Sequence, residues 1–125
     1  MPFQCPECSG SKSLRIVHKL ELPPDSRSDE ITLQTVKCSD CGFAGIAVYE
    51  ESRRGALDSE SVDHTGYRVA ASDLKALKRI MRQCPKPGNW RCRCRAHREL
   101  GRTDASGRWN ALRDIAHEGV FAMKL

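Results

Sequence analysis

Large apolar side chains are scarce in this chain. Leu, Ile, Val and Phe together make up 24 of 125 residues and aromatics only 6%, close to the composition at which burial alone no longer folds a small domain. No apolar run approaches the roughly 20 residues of a spanning helix, and the opening Met1-Pro2-Phe3-Gln4-Cys5-Pro6-Glu7-Cys8 carries no apolar leader. A cytoplasmic location without membrane contact is therefore expected. A Gly-rich phosphate loop and a nucleophile motif are both missing, which removes the usual sequence support for nucleotide hydrolysis or serine-type chemistry. There is no internal repeat and no low-complexity tract.

What stands in this thin apolar background is seven Cys and four His. The odd count, grouped as Cys5-x-x-Cys8, Cys38-x-x-Cys41 and Cys92-x-Cys94, fits a disulfide framework in a reducing compartment poorly. Thiolate ligation fits better. Two Cys-x-x-Cys pairs suit one tetrahedral zinc ion, because each pair makes a tight turn whose sulfurs converge. Pro6 and Gly42 favour turns that aim backbone N–H groups at sulfur and help keep it ionised. Four unligated thiols, an iron–sulfur cluster and a redox pair are the competing readings. The remaining Cys84, Cys92 and Cys94 with His97 form a second candidate set of four ligands. Here the alternatives are free thiols beside a solvated His97, or an ion shared with His64 or bridging two chains; His64 and His117 are reserve ligands.

Cys5-Pro6-Glu7-Cys8 and Cys38-Ser39-Asp40-Cys41-Gly42-Phe43, separated by strand-like sequence, resemble a zinc ribbon over residues 1–52. The resemblance implies a three-stranded antiparallel sheet with one zinc between two knuckles, a fold found in nucleic-acid-binding proteins and in protein adaptors alike.

Periodicity supplies the elements. Leu14, Ile16, His18, Leu20 and Leu22 alternate with polar neighbours over about 12–22, which predicts a strand with those five on one face and His18 packed among them. Pro23-Pro24-Asp25-Ser26-Arg27-Ser28-Asp29 then predicts a loop. A second strand is expected over 30–37, with Ile31, Leu33 and Thr35 on one face, and a third over 43–50, with Ile46 and Val48 together. Residues 53–68 are polar and read as a connector to a unit spanning 69–125. That unit opens with a helix capped by Ser72, with Leu74, Leu77, Ile80 and Met81 on its apolar face, stopped near Gln83 by Pro85, Pro87 and Gly88. Trp109, Leu112, Ile115 and Ala116 suggest a weaker helix, and Val120 to Lys124 a short strand. The fold class expected is thus a small α+β protein stabilised by zinc: a three-stranded ribbon, a helix and a Cys3His segment.

The net charge of +5 is unevenly distributed. Residues 1–74 hold 8 basic and 12 acidic side chains, whereas residues 75–113 hold 12 basic against only Glu99 and Asp104. If residues 89–95 are extended, Trp90, Cys92 and Cys94 turn inward and Arg91, Arg93 and Arg95 outward. If the segment is helical from 91, Arg91, Arg95, Arg98 and Arg102 share a stripe. With Lys75, Lys78, Arg79 and Arg82 on the preceding helix, either geometry makes a basic face suited to phosphate. Trp90 and Trp109 are expected inside the core rather than on that face. The leading functional reading is a non-catalytic zinc-binding module that holds nucleic acid through this face. The alternative is a protein–protein adaptor whose acidic and basic halves dock to other proteins, the basic half on an acidic protein surface. A zinc-dependent hydrolase is a weak third, since a catalytic zinc keeps an open position and both ligand sets here are full.

Overall fold

Alternating side chains and β-branched residues give three nine-residue strands, β1 (Leu14–Leu22), β2 (Glu30–Cys38) and β3 (Ala44–Ser52). They pair antiparallel in sequence order. The computed structural model describes residues 2–52, 61–112 and 117–124. Two further strands, β4 (Ser61–Val69) and β5 (His117–Ala122), extend the sheet in the order β1-β2-β3-β4-β5. The expectation of three strands is thereby corrected to five among the described residues. β4 lies in the stretch read as connector, of which residues 53–60 lie outside the described residues.

The reason β4 escapes a pattern search lies in its partners. Opposite Gly66 on β5 is Phe121, and a Cβ on Gly66 would meet that ring at 2.2 Å. The glycine is a slot for an aromatic ring from the next strand. The Arg68 guanidinium lies over Phe43, 5.5 Å from the ring centroid, and over Phe121 at 5.9 Å, and it pairs with Glu7. A strand stabilised by a ring over glycine and a cation over rings need not look apolar.

β1 departs from its expected alternation at one residue. Ile16 pairs with Val36 and His18 with Thr35, so Val17 is an extra residue, half-exposed at a bulge. The insertion flips the side-chain parity. Leu14 and Ile16 join Phe3, Val36, Ala47, Phe43 and Phe121 on one face, while Leu20 and Leu22 join Ile31, Leu33, Ile46 and Val48 on the other. One strand thus feeds two cores. His18 is half-buried on the second face, its Nδ1 3.2 Å from Thr35 Oγ1.

The second face is covered by α1 (Ala71–Met81), which buries Leu74, Leu77 and Met81. Its cap differs from expectation: Ala70 occupies the N-cap with no side-chain bond, and Ser72 is already inside the helix. Asp73 in the first turn and Lys78 and Arg79 in the last complement the helix dipole. A second helix, α2 (Arg95–Leu100), adds Ala96 and Leu100 to the same core. Trp109 and Leu112 lie in a bridge and a turn rather than in the helix expected there; Ile115 and Ala116 lie outside the described residues.

Asp25, in the loop between β1 and β2, fastens the end of the chain to the sheet. Its buried carboxylate accepts from the backbone N–H groups of Ser28 at 2.6 Å, Trp109 at 2.7 Å and Arg27 at 2.8 Å, and from Arg108 Nη1 at 3.2 Å. Burial favours the protonated acid, but these donors and the guanidinium outweigh it and hold Asp25 below the usual carboxylate range. A depressed carboxylate contributes stability that is present above its unfolded pKa of about 3.9 and is lost as pH falls through the folded value. Asp25→Asn is expected to cost about 3 kcal/mol near neutral pH and to blunt the loss of stability below about pH 4. Thermal melts of both proteins between neutral and acid pH check this.

Candidate metal centres

The first cluster is built from two tight turns at one end of the sheet. Cys5 and Cys8 lie in the turn that precedes β1, and Cys38 closes β2 just before Cys41. Glu7 N–H donates to Cys5 Sγ at 3.4 Å, while the N–H groups of Asp40 and Cys41 donate to Cys38 Sγ at 3.3 and 3.4 Å. Gly42 makes the second turn possible at a φ of 79°, where a β-carbon would be strained. Cys5 Sγ is 3.6 Å from Cys41 Sγ, and Cys8 Sγ is 3.7 Å from Cys38 Sγ. A tetrahedron of sulfurs about 2.3 Å from zinc has edges of about 3.8 Å. The donor set fits the ion in number, softness and spacing.

Electrostatics in this cluster favours sharing one charge. The Ser13 hydroxyl, 3.3 Å away, and the Cys41 backbone N–H lower Cys38 to about 6. For Cys41, the Phe43 backbone N–H favours the thiolate, but burial and the Cys38, Cys5 and Cys8 sulfurs push the thiol up to about 12. Four thiolates cannot ionise at this spacing without a cation among them. A soft dication would supply that compensation.

The second cluster follows α1. Cys84 sits after the helix end, Cys92 and Cys94 lie in the following turns, and Cys94 is the N-cap of α2, its Sγ accepting from His97 N–H at 3.4 Å. His97, only 5% exposed, brings Nδ1 to 3.3 Å from Cys84 Sγ and 3.2 Å from Cys94 Sγ, and Cys84 lies 3.9 Å from Cys92. The other ring nitrogen, Nε2, is 2.7 Å from the Glu21 carbonyl oxygen. A carbonyl only accepts, so Nε2 carries a proton there, and Nδ1 is the ring nitrogen that faces the sulfurs and would bind an ion once deprotonated. Burial pushes Cys84 up to about 11, whereas for Cys94 the His97 ring and backbone outweigh burial and lower it to about 6.

Both sets therefore converge as the spacing predicted, each with its ligand atoms within 4.8 Å of one another. The second is also tied to the sheet. Glu21 N–H donates to the Pro87 carbonyl at 2.8 Å while its own carbonyl takes the His97 proton, so the Cys3His segment caps the outer edge of β1. Sequence offers no signal for a backbone partner 76 positions away. Of the reserve ligands, His64 bonds Gln34 Oε1 at 2.7 Å and is held between Phe3 and Tyr49; the side chain of His117 lies outside the described residues.

No protein family, curated protein or solved structure compared with the chain matches it. The zinc-ribbon resemblance accordingly rests on the four-cysteine cluster and its spacing.

The basic residues fall into two grooves and a remainder. Lys75, Lys78, Arg79 and Arg82 line a groove of about 400 Å³ along α1. Arg91, Arg93 and Arg98 line another of about 600 Å³ beside the second cluster, with Trp90 and Pro23. Arg95 instead pairs with Glu99 at 2.7 Å, and Arg102 Nε donates to the Glu99 carbonyl at 2.9 Å. Residues 91–95 alternate in exposure as the extended reading expects, with Cys92 and Cys94 turned in. Trp90 breaks that expectation: it is 43% exposed. Trp109 is packed, its Nε1 donating to the Leu100 carbonyl at 2.6 Å. The acid/base neighbours in sequence, Glu50-Glu51 and Asp63-His64, lie on paired strands where successive side chains take opposite faces.

Native mass spectrometry of zinc-loaded protein is expected to find two ions per chain, with Cys8→Ser and Cys92→Ser each removing one. Cobalt substitution checks the assignment, because the four-sulfur and three-sulfur–imidazole sites differ in sulfur-to-metal charge transfer.

Proposed function

We propose that the chain is a zinc module that binds nucleic acid through the basic surface assembled around its Cys3His cluster. The observation that carries this reading is positional. Arg91, Arg93 and Arg98 project from the same short segment that supplies Cys92, Cys94 and His97, so a bound metal would hold the guanidiniums on a rigid base. Metal ligation in such small units contributes on the order of 10 kcal/mol to folding, enough to hold a loop rich in solvated arginine in one shape.

Arginine suits the task because its planar fork matches phosphate oxygens and stays charged. Each neutralised phosphate also releases condensed counterions. Lys75, Arg79 and Arg82 on the exposed side of α1 extend the same sign of charge. The zincs act here as structural ions: each ligand set is full, and the role of the metal is to fold the surface rather than to activate water.

The affinity of zinc-loaded protein for nucleic acid is expected to fall about 10²–10³-fold between about 50 and 200 mM salt. Arg93→Glu with Arg98→Glu should weaken binding at least about tenfold while both zincs are retained. Titration by fluorescence anisotropy reads both effects. Affinity that ignores salt and charge reversal, with recovery of a protein partner lost in the same variant, would instead identify a protein-docking surface.

A further inference from the structure

Trp90 is placed where a buried tryptophan would not be. It sits in the run Pro87-Gly88-Asn89-Trp90-Arg91, every residue of which is exposed, although the core is short of aromatic rings. The Arg91 guanidinium lies 5.0 Å from the centroid of its indole, covering one face by a cation–π contact. The indole is 43% exposed, which leaves surface for a planar partner.

The surroundings of Trp90 give that partner a path. Its indole lines both the arginine groove and a larger cleft of about 940 Å³, which also contains His18, Lys19, Glu21 and Arg82. Arg82 in turn is shared between this cleft and the groove of α1. Three depressions therefore adjoin, each sharing a lining residue with the next, with cations at both ends and an exposed indole between them. The central cleft mixes signs, since Glu21, Asp29 and Glu30 line it beside Lys19 and Arg82. A row of phosphates is disfavoured there, whereas the hydrogen-bonding edges of bases, with donors and acceptors of both kinds, are suited to it.

We propose that Trp90 is a stacking platform for an unpaired base, and that the nucleic acid bound by this surface is single-stranded. A duplex offers phosphates to the arginines but keeps its base faces inside the helix, so it leaves the indole without a partner. A single strand satisfies both: backbone against Arg91, Arg93 and Arg98 on one side and the α1 cations on the other, with a base laid on the indole between. This inference rests on the nucleic-acid reading above and goes further in naming the strand state and the residue that selects it.

The test titrates zinc-loaded protein with labelled 2′-deoxyuridine and uridine oligomers of about 12 nucleotides and with a duplex of the same length, at low salt. Both single strands share the base-stacking chemistry, and the tighter of the two identifies the sugar. Single strands are expected to bind at least about tenfold tighter than duplex. Trp90→Ala should weaken single-strand binding about 5- to 100-fold and duplex binding by a clearly smaller factor, with zinc content retained and Trp90→Phe restoring most of the single-strand loss. Equal affinity for duplex and single strand, or a Trp90→Ala protein that binds single strands as the parent does, overturns the stacking site. If Arg93→Glu with Arg98→Glu still weakens binding at least about tenfold in that case, the basic-surface reading stands without it. Absence of binding to any of the three probes overturns both.

Discussion

Eight soft ligands on the two sides of one sheet stand where a larger protein would have apolar bulk. Cys5 and Cys38 pack with Phe3, Leu14 and Val36 on one face, and Cys84 with Leu22, Leu77 and Met81 on the other. Neither core is large, and each ends in a cluster of thiols too close together to ionise without a cation. Sulfur–metal bonding would reconcile these facts: an ion in each cluster would remove the repulsion between thiolates and cross-link segments far apart in sequence. The bulge at Val17 gives β1 a part in both cores, and the Glu21 backbone then ties its outer edge to the second cluster through Pro87 and His97.

The parts of the molecule legible in sequence are those with a short-range signal. Paired Cys-x-x-Cys turns announce themselves because two thiolates must converge from a tight turn. β2 and β3 follow from simple alternation, and α1 from apolar residues at helical spacing ended by two prolines. What stayed hidden depends on distant partners. β4 is polar because its stability comes from Phe121 over Gly66 and from Arg68 over two rings, contacts invisible to a window of ten residues. The inserted Val17 leaves the apolar alternation of β1 intact on paper while dividing it between two faces. Asp25 reads as one more turn-former in a Pro-rich loop, yet four donors converge on it, two of them from Arg108 and Trp109.

Trp90 and Trp109 show how position decides the use of one residue type. The same composition argument, that a chain poor in aromatics buries those it has, applies to both and holds only for Trp109. Its indole N–H reaches the Leu100 carbonyl, so burial leaves no polar atom unpaired. Trp90 has only polar or turn-forming neighbours in sequence and an arginine against its ring, and it stays 43% exposed at a cleft that Leu22 and Met81 also line. The concentration of positive charge in residues 75–113 likewise becomes specific only in three dimensions. Glu99 pairs with Arg95 inside α2 and its backbone carbonyl accepts from Arg102 just beyond it, while the cations along α1 and Arg91, Arg93 and Arg98 line the two grooves.

The central claim is that metal ligation, not apolar burial, holds the fold. Hydrogen exchange of the zinc-loaded and chelator-stripped protein under reducing conditions tests it directly. The account predicts that stripping removes amide protection at both knuckles, along β1 and across α2, and that the cooperative melt is lost. A metal-free protein that kept the same protected amides and the same melting temperature would contradict it.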